Sequence, residues 1–332
     1  MNKVVTTSKS DSDQPKKTIR QRLAYIFGQY TIQWLLLFAA IILSVINPNF
    51  RQFSNIRNIL LQSSFIGIGA AGVTLVIING GIDLSVAGIV GLCGVVLAML
   101  VPKIGIAGAI IVTLILGLIL GWINGVVVVR VRVPAFIATL GMMNIYLAIG
   151  FIITNAKVLP VTDKTFRALA TKSFFGFPIP FLAMIVVYLI CFVVLKYTFY
   201  GRFIRAVGSN QMASFIAGVS VDKVRIFAFM LVGFFTAVAC VFLTGYLSHG
   251  QAIMAIGYEL RVIAVAVVGG TSLKGGSGTL IGSFTGALFF TMISNSLNLL
   301  GVGAYWQYVA VGLIIITALG IESLRRRVLG IT

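Results

Sequence analysis

From residue 30 onward, uncharged apolar runs of one bilayer's length alternate with short polar breaks. At about 20 residues per crossing, the pattern predicts ten membrane helices. They fall near residues 31–47, 59–79, 84–101, 104–129, 134–154, 179–196, 226–247, 254–270, 279–299 and 304–321. The third and eighth are the least regular, because glycines and a charge interrupt them or their edges. Two polar connections stand out by length. One is 155–178, and the other is about 30 residues between Lys196 and Arg225, too long for a simple turn. Within the second, glycines flank a stretch that favours a short helix at 211–217. Residues 1–29 read as a polar leading segment, 30–322 as one transmembrane domain with its long polar segment at about 197–225, and 323–332 as a basic tail. The first apolar run is followed by Asn47-Pro48-Asn49 with no small-residue cleavage site, so it reads as a retained helix.

Composition settles the class. Hydrophobic residues make up 59% of the 332-residue chain and charged residues 10%, against about 25% charged in soluble domains. Only helices and closed barrels satisfy their backbone groups in lipid. Unbroken apolar runs, without the ten-residue alternation of a barrel strand, select an all-α polytopic membrane protein.

The net charge of +18 is spread over the breaks between runs, with no basic stripe interleaved with aromatics, so nucleic acid is not an expected partner. Placing the N-terminus inside puts seventeen basic residues on the cytoplasmic side, including Arg130, Arg132, Arg202, Arg205, Lys274 and Arg325 to Arg327. Seven fall outside. The positive-inside rule therefore expects both termini in the cytoplasm. Cys93, Cys191 and Cys240 all lie within apolar runs and offer neither a disulfide framework nor metal spacing. With a single histidine, His249, in an expected external loop, no metal and no cofactor is expected.

Seven acidic residues remain, and Asp83 has the longest uncharged sequence on both sides. It lies in Gly80-Gly81-Ile82-Asp83-Leu84-Ser85. An ionisable group at membrane depth marks a functional site; alternatively the glycines break the helix and Asp83 caps the next one. With the N-terminus inside, the motif comes at the cytoplasmic end of the second span, which favours a hinge and inner-gate role with Ser85 over direct solute contact. The motif has an echo in Gly269-Gly270-Thr271-Ser272-Leu273-Lys274, as in transporters built from repeated units. The run GGTSLKGGSG at 269–278 resembles a phosphate loop but has Leu273 before Lys274 and Gly275 after it, so it fails that pattern. Glu259 and Arg261 fall where the eighth span enters from outside, suited to an ion pair or an external gate. Amides and hydroxyls inside the spans (Asn79, Asn124, Thr139, Asn144, Asn295, Asn298) offer donors and acceptors that suit a neutral polyhydroxylated solute.

In order along the chain come GGIDLS, PAFIATLGMM at 134–143, GRFIRAVGSN at 201–210, GYELRVIAVAVVGGTSLKGGSGT at 257–279 and NSLNLLGV at 295–302. As a set these resemble the permease subunit of ribose-type sugar ABC importers. That superfamily also holds branched-chain amino-acid permeases. The resemblance runs from about Asn47 to the last helix. It implies a type II importer permease in a bacterial inner membrane, a homodimer driven by a cytoplasmic ATP-binding subunit and fed by an extracytoplasmic sugar-binding protein. It also implies that the segment bearing Gly201, Arg202, Gly208, Asn210, Gln211, Ala213 and Gly218 couples to the ATPase. The family commonly has Asn-Glu-Ala-Ala where this chain has Asn210-Gln211-Met212-Ala213, so a salt bridge of the usual kind is not expected there.

The expected activity is inward translocation of a neutral monosaccharide, with Asp83, Ser85, Gly80, Gly81, Asn124, Glu259, Asn295 and Asn298 as translocation or gating residues. The chain itself is not expected to be an enzyme. The rivals are a branched-chain amino-acid or autoinducer-type permease and an ion-coupled transporter using Asp83 and Glu259 as a titratable relay.

Overall fold

A computed structural model describes residues 31–303 and, within the final apolar run, 305–307, 309–310, 312–313, 316–317 and 320. The polar segment 1–29, the basic tail 323–332 and much of the expected tenth span lie outside the described residues. The helices in order are α1 (Thr31–Ile46), α2 (Phe53–Ile78), α3 (Val86–Arg130), α4 (Ala135–Thr154), α5 (Lys164–Thr171) and α6 (Ile179–Tyr197). There follow α7 (Phe199–Ser209), α8 (Gln211–Ile216), α9 (Val221–Leu247), α10 (Tyr258–Val268) and α11 (Leu280–Leu299), with a 3-10 turn at Pro48–Arg51. Six of these, α2, α3, α4, α6, α9 and α11, are long and apolar enough to cross a membrane.

α3 is two helical segments joined end to end. Gly105, at φ 74° and ψ 171°, breaks a 45-residue helical run. The Asn124 side-chain amide donates to Ser85 Oγ at 2.6 Å. A straight helix would hold residues 39 positions apart by about 58 Å, so the run folds back on itself. The break lies next to the 101–104 boundary expected between the third and fourth spans.

α2 forms the axis. Of its most apolar stretch 83% is buried, against 22% for α4, so α2 is enclosed by protein and α4 faces outward. Apolar residues of α2, α3, α9, α10 and α11 form one core cluster, and those of α2, α6, α7 and α9 another. The glycines spaced by four allow this packing. A Cβ on Gly117 or Gly121 would stand 2.4 Å from Ala237 Cβ or the Phe229 carbonyl of α9, the close approach that small residues permit in lipid.

At one end of the bundle, the long connection 155–178 is built rather than open. Leu159–Pro160 pairs antiparallel with His249–Gly250, tying it to the end of α9, and Ser173–Phe174 pairs with Phe177–Pro178 in a hairpin. Asp163 Oδ1 caps α5 by accepting from the Thr165 and Phe166 N–H groups at 2.8 and 2.9 Å. At the opposite end, the second long connection contains α8, close to the short helix expected at 211–217.

The eighth span departs from expectation. Instead of a helix over 254–270, residues 252–257 form successive turns, and helix begins only at Tyr258 after Gly257, whose φ is 85°. The left-handed glycine stops the helix from growing backwards. The non-helical segment re-enters the bundle: the Ala252 carbonyl lies where a Cβ on Gly91 would be 2.0 Å away. The Tyr258 hydroxyl donates to the Phe65 carbonyl, halfway along α2, at 2.8 Å. Glu259 and Arg261 therefore sit level with the middle of α2. Irregular backbone at such depth is tolerated where protein encloses it or a cavity adjoins it.

Candidate functional site

The segment between α2 and α3 holds a buried polar chain. Asp83 and Ser85 are fully buried. Asp83 Oδ1 accepts from the Ser85 N–H at 2.8 Å and the Ser85 hydroxyl at 2.6 Å. Ser85 Oγ in turn accepts from the Asn124 amide, and Asn124 Oδ1 accepts from the Tyr146 hydroxyl at 2.9 Å. The donors run one way, Tyr146 to Asn124 to Ser85 to Asp83, across both halves of α3 and into α4. Thr139 completes the clamp, its hydroxyl accepting from the Leu84 N–H at 3.1 Å. Asp83 lies between the spans; burial pushes its carboxyl up to about 6, against the hydrogen bonds from Ser85 that hold it down. Its second oxygen has no partner. The carboxyl thus caps the start of α3 and also anchors a network.

The same end of the molecule gathers the glycine motifs. The Gly276 N–H donates to the Ile78 carbonyl at 2.8 Å. A Cβ on Gly208 would lie 1.8 Å from that carbonyl oxygen, and one on Gly275 would lie 2.9 Å from Gly80 Cα. The α2 terminus, the α7 terminus and the 269–278 turn therefore meet backbone to backbone. The echo is real as local structure but shifted by one residue. Asn79, Gly80 and Gly81 donate to the carbonyls of Leu75, Ile77 and Val76; Gly269, Gly270 and Thr271 donate to those of Val265, Val267 and Ala266. Gly80, at φ 80°, thus corresponds to Gly270, at φ 88°, because the left-handed position of a helix C-terminal motif decides the register.

Around α8, Asn210 Oδ1 caps the helix by accepting from the Ala213 N–H at 2.9 Å. Gly218, at φ 83°, ends it. Gln211 and Arg202 are exposed, and so are Met212, Phe215 and Ile216 at 69%, 68% and 78%. Met212, Phe215 and Ile216, spaced i, i+3 and i+4, share one exposed apolar face of α8. Gly201 sits tight against the end of α6, where a Cβ would be 2.4 Å from the Leu195 carbonyl.

A cavity of about 420 Å³ opens where α10 begins. Gln62, Phe65 and Ile66 of α2 line it, with Leu243 and Tyr246 of α9. Tyr258 and Arg261 of α10 and Phe290, Thr291 and Ser294 of α11 complete the wall, and residues 254–256 form its floor. A break in a helix beside a mid-depth cavity is the arrangement of transporter binding sites.

Not all expected site residues share a place. Asp83, Ser85, Gly80, Gly81 and Asn124 come together. Glu259 is in the first turn of α10 beside the cavity, with its Oε2 buried and unpaired. Asn295 and Asn298 belong to neither group: the Asn295 amide donates to Asn55 Oδ1 at 2.9 Å, and Asn298 Oδ1 accepts from the Gln307 amide at 2.6 Å. Both fasten the far end of α11. Sequence reasoning missed Tyr146, which a tyrosine inside an apolar run signals weakly, and the cavity residues Gln62, Thr291 and Ser294, whose shared wall exists only once the re-entrant segment is placed.

Compared with known proteins, residues 55–319 match the family described as branched-chain amino acid transport system / permease component. The chain is 39% identical over 302 residues to a ribose import permease protein of Haemophilus influenzae, covering 88% of this chain and 93% of that one. It is 36% identical over 307 residues to the ribose import permease protein of Escherichia coli, covering 90% and 95%. To the L-arabinose transport system permease protein of Escherichia coli it is 33% identical over 329 residues, covering 97% and 98%. No solved structure gives a significant match.

Proposed function

Because the chain belongs to the family of branched-chain amino acid transport system permease components, we propose that it is the membrane subunit of an ATP-driven importer that moves a neutral monosaccharide inward. One observation carries the solute class: full-length relatives named for ribose and L-arabinose are 33–39% identical over nearly the whole chain. The family description names branched-chain amino acids instead, and that reading stands second. The polar groups facing the cavity are mainly amides and hydroxyls, which favours a neutral polyol.

On this reading the subunit is a translocator rather than an enzyme, working in a bacterial inner membrane with ten crossings and both termini in the cytoplasm. A separate ATP-binding subunit docks on the exposed apolar face of α8. An extracytoplasmic sugar-binding protein delivers solute to the end bearing α5 and the hairpin, and a second copy of the chain completes the pathway. Asp83, Ser85 and Asn124 hold the inner gate, and Glu259 acts beside the mid-depth cavity. Asn295 and Asn298 keep the outer end of α11 in place.

Reconstitution with candidate ATPase and binding-protein partners tests this. Ribose or arabinose uptake is expected to require both partners and ATP, and to ignore the proton gradient. Uptake that persists without the ATPase and collapses with the gradient would sink the proposal in favour of an ion-coupled transporter.

A further inference from the structure

Helical threonines in this bundle normally turn their hydroxyls back on their own helix. Thr74, Thr113, Thr139, Thr154 and Thr285 each donate to the carbonyl four residues earlier, at 2.7–2.9 Å. Thr236 of α9 and Thr291 of α11 depart from this, since neither Oγ1 has a hydrogen-bond partner, and of the two it is Thr291, 2% exposed, that lines the cavity. A buried hydroxyl without a partner is destabilising, so one held on a cavity wall is poised for a group that enters from outside the chain.

Its surroundings describe that group. Ser294, one helical turn further along α11, and Gln62 of α2 add a hydroxyl and an amide, each able to donate and accept. Phe65 and Tyr246, with ring centroids 5.2 Å apart, and Phe290 supply apolar faces. At about 420 Å³ the space falls in the ~300–1,000 Å³ range of small-molecule sites. Arg261 and the start of α10 bring positive charge, which Glu259 in the first turn of that helix offsets. The balance removes the bias toward an anion that a helix N-terminus has when it stands alone.

We propose that this cavity is a solute-binding station for one neutral polyhydroxylated ring, with Thr291, Ser294 and Gln62 on its hydroxyl edge and Phe65, Tyr246 and Phe290 against its C–H face. The inference deepens the importer reading, on which it rests. It places solute recognition inside the permease, in addition to whatever selectivity a delivering protein contributes. Thr291 is the sharpest determinant, because among the side chains lining the cavity its hydroxyl is the one that is buried without a partner.

The test is equilibrium binding of radiolabelled D-ribose and L-arabinose to the purified full chain in lipid nanodiscs, without partners. One of the two sugars is expected to bind saturably. Thr291→Val, close in shape but lacking the hydroxyl, is expected to weaken that binding at least tenfold, and Thr291→Ser to restore most of it. L-Leucine in excess is expected not to compete. Thermal unfolding of each variant reports on folding, and Ser294→Ala, at a partly exposed position, gives a second reading if Thr291→Val does not fold. Absence of saturable sugar binding, wild-type affinity in both Thr291→Val and Ser294→Ala, equal loss in Thr291→Ser and Thr291→Val, or displacement by leucine would each overturn the site. Partner- and ATP-dependent uptake that survives Thr291→Val unchanged overturns the site while leaving the importer reading intact; uptake without the ATPase overturns the importer reading itself.

Discussion

Asp83 is at once a helix cap and the end of a hydrogen-bond chain, and single substitutions separate the two. Asp83→Asn keeps an oxygen for the Ser85 N–H but removes the charge. It is expected to insert and fold like the parent while uptake falls by about tenfold or more; near-normal uptake would leave capping as the residue's whole role. Asp83→Ala strands the buried Ser85 N–H and is expected to cost about 1–3 kcal/mol, seen as a lower melting temperature in detergent. Tyr146→Phe removes one donor from the Asn124 end and should cost about 1 kcal/mol, with a small effect on uptake. Asp83 was legible in the sequence because a carboxylate inside an uncharged stretch is conspicuous. Its partners were not, since Asn124 lies 39 positions beyond Ser85 and reaches it only because α3 reverses at Gly105. Hydropathy reports that two apolar runs exist, not how their faces align.

Among the elements, those defined by length and punctuation were readable, and those defined by depth were not. The short α8 lies between Asn210 and Gly218 because a capping side chain and a left-handed glycine mark its ends. α10 looked like a full crossing because 252–257 is nearly as apolar as a helix, yet it enters as turns. Gly208 and Gly218 give a paired test. Gly208→Ala places a Cβ 1.8 Å from the Ile78 oxygen, which no rotamer relieves, and is expected to abolish ATP-driven uptake. Gly218→Ala meets nothing within 4 Å and incurs only the strain of φ 83°, about 1 kcal/mol, so uptake should persist. Deleting 211–217 should release the ATPase during co-purification; an intact complex would refute docking on α8.

For the whole molecule, composition and the spacing of apolar runs revealed the class and the six helices long and apolar enough to cross a membrane, whereas the cavity was invisible because four helices and the turns at 252–257 contribute to it. Topology is testable with single cysteines, since Cys93, Cys191 and Cys240 are buried. Phe175→Cys, at a site 87% exposed, should react with an impermeant maleimide added outside intact cells. Phe215→Cys should react only after the membrane is opened. Labelling of both from one side would refute the ten-crossing arrangement.

The junction of Gly80, Gly208 and Gly275 also sets the mechanical character of the molecule. Side chains between moving parts act as springs, because rotamers shift and absorb displacement. Here main chain bears directly on main chain, so there is no slack. On the proposed importer reading, a push on α7 from the ATPase side would reach the end of α2 through this backbone contact, next to the 80–85 segment that holds Asp83. Such a linkage gains efficiency of transmission and loses tolerance. One added methyl group at the bearing would jam it, and changes far from any bound sugar should then abolish transport as completely as changes that touch it.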